Sequence, residues 1–321
     1  MEASRRDYFL NFTRIGMALG AMMLLKMPML WCYVSISSFL MNQEAGVFRW
    51  LSWLFHSDWT GLLTEHVLIF GTLYLVVYLI VRSMPKTKGP QRRLAFGEFI
   101  LCLVLALGIG TLLNIGGNLV NAFFTLFNHK TVDEMNPIVE ALENPTIDML
   151  LYACLLGPVM EELVFRGFLL KRARRFGDRT AVVFCSVAFG LMHGNLVQCL
   201  YAVFIGLILG YIVAKTNRLR YSILLHIAFN SYSAVIQEGW LFWENRGYEI
   251  MEILYLLAVF AVELLFMVSA VILLWKNGGR AGRELALANK GPSRYKKYAY
   301  LNPGFILFAG TCAVEMLAYL L

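Results

Sequence analysis

The sequence predicts an all-α, polytopic membrane protein with about eight or nine transmembrane helices around an intramembrane polar cavity. The first observation is composition: of 321 residues, 59% are hydrophobic and only 15% are charged, whereas soluble domains carry roughly 25% charged residues. The second is a mean hydropathy of +0.63. The third is that the apolar residues form runs of about 20, the length that a helix needs to cross a bilayer.

Candidate spans and basic loops alternate along the chain. The spans are 15–41, 62–81, 94–127, 149–170, 181–193, 197–214, 221–237, 251–275 and 303–320. Of the 28 Lys and Arg residues, 23 lie in the N-terminal arm and in the loops 82–93, 171–180, 215–220 and 276–300. Because cytoplasmic loops are enriched in Lys and Arg, this alternation predicts a cytoplasmic N-terminus, in the cell membrane if the source is bacterial.

Two function classes are excluded by where the charged and sulfur-containing residues lie. The net charge of +7 would suit nucleic acid, but the basic residues sit in short loops between apolar spans, so no nucleic acid partner is expected. No two cysteines have CxxC spacing, which argues against a disulfide framework or a zinc site. We expect small buried apolar side chains at Cys32, Cys102, Cys154, Cys185, Cys199 and Cys312.

Glu161, Glu162 and Arg166 interrupt the apolar run 149–170. Ionised groups at membrane depth are costly unless they are paired or solvated, so this cluster is a functional-site hypothesis. Glu162 and Arg166 are four residues apart and share a helix face, which predicts a local ion pair. Glu161 points about 100° away from Glu162 on an α-helix. We therefore expect Glu162 and Arg166 to brace the helix and Glu161 to carry the chemistry.

Other acidic residues in or near the spans have simpler interpretations. A carboxylate near a span end usually reaches the interface or pairs locally. This applies to Glu65, Glu98, Glu263 and Glu315.

Two histidines and an asparagine in later apolar segments could meet the glutamates. His193 ends the run 182–192, and His226 and Asn230 lie four residues apart within 221–237. A lone histidine on an apolar face is usually a hydrogen-bonded core residue, but several polar residues within some 70 positions favour a site. At about 1.5 Å per residue, Glu161, His193 and His226 lie roughly 8–20 Å from the cytoplasmic ends of their segments. They can therefore meet at one depth.

This residue set suits hydrolysis by an activated water. A buried carboxylate can act as a general base near neutral pH, and His193 could help it to hold a water. His226 and Asn230 could donate to the oxyanion formed on a peptide carbonyl. No GxSxG sequence or Cys–His pairing supports a covalent nucleophile. The chemical alternative is a catalytic zinc held by Glu161, His193 and His226, although HExxH is absent.

Three ordered motifs carry a family resemblance. They are Glu161-Glu162-x-x-x-Arg166, Phe189-x-x-x-His193 and His226-x-x-x-Asn230. Together they resemble the signature of the CAAX prenyl endopeptidases, the CPBP (CAAX protease and bacteriocin-processing) family of intramembrane proteases. The match divides the chain into N-terminal transmembrane helices at 1–148, a catalytic core at 149–237 and C-terminal transmembrane helices at 238–321.

The resemblance implies an all-helical membrane protease with a cavity open to the cytoplasm and a lateral gap towards lipid. Its expected partners are the bilayer and a membrane-associated peptide or protein substrate, and no cofactor is implied. It implies that water is activated by Glu161 and His193, with the oxyanion site at His226 and Asn230. It also implies supporting roles for Glu162, Arg166 and Phe189.

Two non-proteolytic hypotheses stand beside this one. The chain could be a membrane immunity or scaffold protein that keeps the pocket for binding, as some relatives of such proteases do. It could also be an ion-coupled transporter with the Glu and His residues as a relay. A transporter predicts an inverted repeat, and the sequence contains no evident one, so this hypothesis ranks last.

Overall fold

The structure is a computed structural model, and it describes residues 4–41, 46–56, 61–87, 89, 91–128, 130–132, 134–136, 146–288 and 293–321. The described residues form ten helices and no strand, which confirms the all-α prediction. The helices are α1 Arg5–Met41, α2 Gly46–His56, α3 Gly61–Val81, α4 Phe96–Phe124, α5 147–173, α6 Asp178–Leu191, α7 Leu196–Thr216, α8 Leu219–Glu244, α9 Glu249–Ala288 and α10 Pro303–Leu320. Short 3₁₀ turns occupy Arg174–Phe176 and Ser293–Ala299.

Helix α5 is continuous but irregular. Its α-helical pieces are Ile147–Leu151, Gly157–Glu162 and Lys171–Ala173. Two π-helical stretches, Tyr152–Leu156 and Leu163–Leu170, separate these pieces. Wider π turns inside α-helices are rare and frequently mark functional sites. In this chain they flank the α-helical piece that ends in the two glutamates.

Six of the described helices are each long and apolar enough to cross a membrane, so the chain is a multi-pass membrane protein. They contain the spans Arg5–Met41, Leu63–Val81, Phe96–Phe124, Leu196–Thr216, Glu249–Lys276 and Pro303–Leu320. The other three predicted spans correspond to α5, α6 and α8, and each has a reason to differ. Helix α5 is interrupted, α6 has only 14 residues, and α8 carries several polar side chains. These three helices hold all the candidate site residues except His193, which lies two residues beyond the end of α6.

The buried residues form two apolar clusters, and each includes a residue at or beside the candidate site. The first draws mainly on α1, α3, α5, α6 and α10 and includes Phe189. The second joins α4, α7 and α8 and includes Leu225, the neighbour of His226. Helix α8 packs against α5, α7 and α9, while α1 packs along α10 and α3. The helices that carry site residues are therefore divided between the clusters: α5 and α6 contribute to the first, and α8 contributes to the second.

Candidate active site

Glu162 and Arg166 form the buried ion pair that their spacing predicts. Arg166 Nη1 lies 2.6 Å from Glu162 Oε1, and the two side chains are 1% and 0% exposed. Arg166 Nη2 also donates to the Gly206 carbonyl at 3.4 Å, which ties α5 to α7. A buried pair of this kind leaves a costly uncompensated charge when one partner is removed. The prediction of a local brace within α5 is confirmed in its geometry.

His226 lies between the two glutamates. Its Nδ1 is 3.3 Å from Glu162 Oε1, and its Nε2 is 3.8 Å from Glu161 Oε2. The proximity to Glu161 agrees with the expectation from the sequence. The contact with Glu162 does not follow from any spacing in the sequence, because it depends on how α8 packs against α5.

The Phe189 ring is the centre around which the polar side chains are arranged. Its centroid lies 5.0 Å from the His193 ring and 5.7 Å from the His226 ring, both in near-perpendicular orientation. The Arg166 guanidinium lies over the same ring at 4.4 Å from its centroid, a favourable cation–π geometry. One buried aromatic side chain thus separates and orients both imidazoles.

His193 lies just beyond the end of α6, in the turn that leads into α7. Its Nδ1 is 2.8 Å from the Phe189 carbonyl oxygen. A carbonyl can only accept, so Nδ1 carries the hydrogen, and Nε2 of the neutral ring is left with a lone pair. His193 and Glu161 are both among the described residues, and no direct hydrogen bond or ion pair joins them.

Asn230 links α8 to the first π-helical stretch of α5. Its Nδ2 donates to the Ala153 carbonyl at 2.8 Å. An amide nitrogen has two hydrogens, so one remains for another acceptor. Asn230 follows His226 by one helical turn, and so both side chains lie on the side of α8 that packs against α5.

Burial separates the candidate residues into two groups. Glu162, Arg166, Phe189 and His226 are buried. By contrast, Glu161, His193 and Asn230 are each partly exposed, and the Glu161 side chain keeps 18% of its surface accessible. The arrangement is a sealed brace of Glu162, Arg166 and Phe189 beside three polar side chains that a substrate or a water could reach. The buried His226 lies between the two groups, with its Nε2 side towards Glu161.

The geometry offers no support for the zinc alternative. Among the described residues, no three His, Cys, Asp or Glu side chains form a group that could hold a metal ion. Glu161, His193 and His226 belong to that part of the chain and do not converge in this way. The six cysteines are all free. The expectation that they are buried is correct for Cys102, Cys185 and Cys312, whereas Cys154 and Cys199 are partly buried and Cys32 is exposed.

Comparisons with known proteins agree with the resemblance seen in the three motifs. Residues 143–232 match the family model described as Type II CAAX prenyl endopeptidase Rce1-like. A relative named "Putative membrane peptidase YdiL", from Bacillus subtilis (strain 168), is 25% identical over 177 residues, which cover 53% of this chain and 70% of the relative. No solved structure matches the chain significantly. Every candidate site residue therefore lies in the segment 143–232, which is similar to the Rce1-like type II CAAX prenyl endopeptidases.

Proposed function

We propose that this chain is an intramembrane endopeptidase that hydrolyses a peptide bond in membrane-associated peptides or proteins. The observation that carries the proposal is the division of the site into a sealed brace and an accessible Glu161, His193 and Asn230. The family match over residues 143–232 supports the coarser class, a membrane peptidase.

In the proposed reaction, Glu161 is the general base and His193 helps to hold the attacking water. Nε2 of His193 accepts a hydrogen bond from the water, because Nδ1 is occupied by the Phe189 carbonyl. Glu161 takes a proton from the water as its oxygen bonds to the carbonyl carbon. The proton then passes to the leaving nitrogen as the C–N bond breaks, which regenerates the carboxylate. The absence of a direct His193–Glu161 contact suits a water that lies between them.

His226 and Asn230 are proposed to stabilise the oxyanion of the tetrahedral intermediate. The Nε2 side of His226 faces Glu161 at 3.8 Å, which is too long for a direct hydrogen bond. Asn230 holds its carboxamide through the Ala153 carbonyl and keeps one hydrogen free. Fixed donors of this type are effective because they need no reorganisation as charge develops.

The remaining expectations from the sequence also belong to this proposal. We place the catalytic core at 149–237, between N-terminal helices at 1–148 and C-terminal helices at 238–321. The N-terminus is cytoplasmic, and the basic loops lie on that side of the cell membrane. Glu162, Arg166 and Phe189 support the site without touching the reacting atoms.

The test is cleavage of a library of membrane peptides by purified wild-type protein and the Glu161→Gln variant. Glu161→Gln should abolish cleavage and leave expression intact, because the amide keeps the shape of the side chain and cannot accept the proton. Glu98→Gln is the matched control, since Glu98 pairs with Lys215 at 2.6 Å outside the site. If Glu161→Gln and His193→Ala both keep the biological activity, the non-catalytic immunity or scaffold hypothesis replaces this one.

A further inference from the structure

A second intramembrane ion pair joins the first and last helices of the chain. Lys26 Nζ of α1 lies 2.5 Å from Glu315 Oε1 of α10, and the two side chains are 27% and 15% exposed. Neither residue lies in the segment 143–232 that matches the family. The sequence predicts a locally paired or interfacial carboxylate at Glu315, but its partner is 289 positions away.

This Lys26–Glu315 pair abuts the turn that carries His193. Gly194, the next residue, has a φ of +69°. A Cβ atom at Gly194 would lie 2.8 Å from each carboxylate oxygen of Glu315, closer than real Cβ atoms come. The positive φ favours glycine at this position, and a side chain there would also displace the Glu315 carboxylate.

Asn195 also holds the turn, through two hydrogen bonds of its side chain. The Asn195 side chain accepts a hydrogen bond from the Gln198 backbone N–H at 2.8 Å and caps α7. Its Nδ2 donates to the His193 carbonyl at 3.4 Å. Helix α6 has ended by this point, so His193 depends on its neighbours for its position. Asn195 and Glu315 thus both contact the short segment that carries His193.

Ionic side chains are an expensive way to join two membrane helices. An apolar pair of similar volume would hold α1 to α10 without removing charges from water. We therefore infer that the Lys26–Glu315 pair is a positioning device for His193, by which helices outside the family-matched segment set the geometry of the active site. This inference rests on the proposed function, since it assigns the pair a role in the same reaction.

The decisive variant is the double substitution Lys26→Met/Glu315→Met. It removes both charges at once, so no uncompensated charge remains to unfold the protein. The matched control is Lys215→Met/Glu98→Met, which removes another Lys–Glu pair, with side chains 29% and 42% exposed. The thermal midpoint, kcat and KM of each purified variant are measured in one detergent, together with Lys26→Arg, which keeps the pair.

We expect Lys26→Met/Glu315→Met to lose about tenfold or more in kcat, because small misplacements of a catalytic group are costly. Its KM and thermal midpoint should stay near those of the control pair, and Lys26→Arg should keep most of the wild-type kcat. A kcat equal to that of the control would overturn the inference, as would a change in KM alone. If Glu161→Gln is inactive while the double variant is fully active, only this inference fails; if Glu161→Gln is active, the proposed function fails first.

Discussion

At the scale of single residues, the two adjacent glutamates have opposite surroundings. Glu162 is fully buried, paired with Arg166 at 2.6 Å, and has His226 at 3.3 Å. Glu161 keeps part of its surface accessible, and its nearest ionisable nitrogen is His226 Nε2 at 3.8 Å. One carboxylate is thus neutralised and inaccessible, whereas the other can accept a proton from a bound water. This difference underlies the division of roles in the proposed reaction.

Arg166→Met should destabilise the protein strongly. It leaves the buried Glu162 without its cation, a loss that typically costs about 3–5 kcal/mol. The free energy of unfolding in detergent, or the folded yield, checks this. The double variant Glu162→Gln/Arg166→Met removes both charges and should recover most of the loss. A normally stable but inactive Arg166→Met protein would instead assign Arg166 a direct role in catalysis.

Phe189→Leu should reduce activity more than stability. The substitution keeps an apolar side chain but removes the ring that lies against both imidazoles and under Arg166. We expect a stability loss of about 1–2 kcal/mol and a fall in kcat of about tenfold or more. Phe165→Leu is the control, since Phe165 is equally buried and contacts the Phe189 ring at 5.2 Å. Equal losses of kcat in the two variants would contradict an orienting role for Phe189.

The site could be predicted from the sequence where one helix fixes the geometry. The Glu162–Arg166 pair follows from a four-residue spacing, and the structure confirms it. The approach of His226 to Glu162 and the central position of Phe189 depend on packing between helices, which no spacing encodes. The Lys26–Glu315 pair could also have been suspected from the sequence, because a lysine inside the apolar run 15–41 needs a partner.

At the scale of elements, the irregular helix α5 creates an acceptor for Asn230. The first π-helical stretch, Tyr152–Leu156, contains Ala153, whose carbonyl accepts the Asn230 hydrogen bond at 2.8 Å. The second stretch, Leu163–Leu170, contains Arg166. Widened turns therefore occur at two of the contacts between α5 and the rest of the site.

Asn230→Ala separates a bracing role from an oxyanion role. If Asn230 only braces the helices, the variant loses one hydrogen bond between helices, which costs about 0.5–1.5 kcal/mol of stability and has little effect on kcat. The loss of an oxyanion donor costs about 10²–10³ in kcat, and this is the result that we expect. Ser233→Ala is the control on the same helix, because Ser233 bonds only within α8, to the Phe229 carbonyl. A kcat like that of the control would leave Asn230 as a brace.

The sequence predicts regular helices well and irregular ones poorly. Apolar runs locate α1, α3, α4, α7, α9 and α10 because length and composition define a membrane helix. They say nothing of the π-helical stretches in α5. They also miss α2, Gly46–His56, which is too short to span and exposes Trp50 and Trp53. Aromatic residues of this kind are typical of the membrane interface.

At the scale of the whole molecule, the number of crossings decides on which side the C-terminus lies. Nine crossings would place the two ends on opposite sides of the membrane, and the distribution of the basic loops predicts a cytoplasmic N-terminus. Six crossings, the number of helices that qualify individually, would place both ends on one side. The two counts differ by α5, α6 and α8, the predicted spans that do not qualify individually.

Reporter tags on both termini test this topology in intact cells. An N-terminal tag should be protected from an external protease or label, and a C-terminal tag should be accessible. The loop 171–180, tagged in parallel, is the internal control for the cytoplasmic side. Two protected tags would reject nine crossings and would require one of α5, α6 and α8 to return to the side from which it entered.

The central claim is that Glu161, without a metal, activates the water that cleaves the peptide bond. The most direct measurement is proteolysis of membrane peptides by purified wild-type and Glu161→Gln protein, with and without a chelator, together with metal analysis of each sample. We expect cleavage that resists the chelator and disappears in Glu161→Gln. Full activity of Glu161→Gln, or chelator-sensitive cleavage that zinc restores, would contradict it.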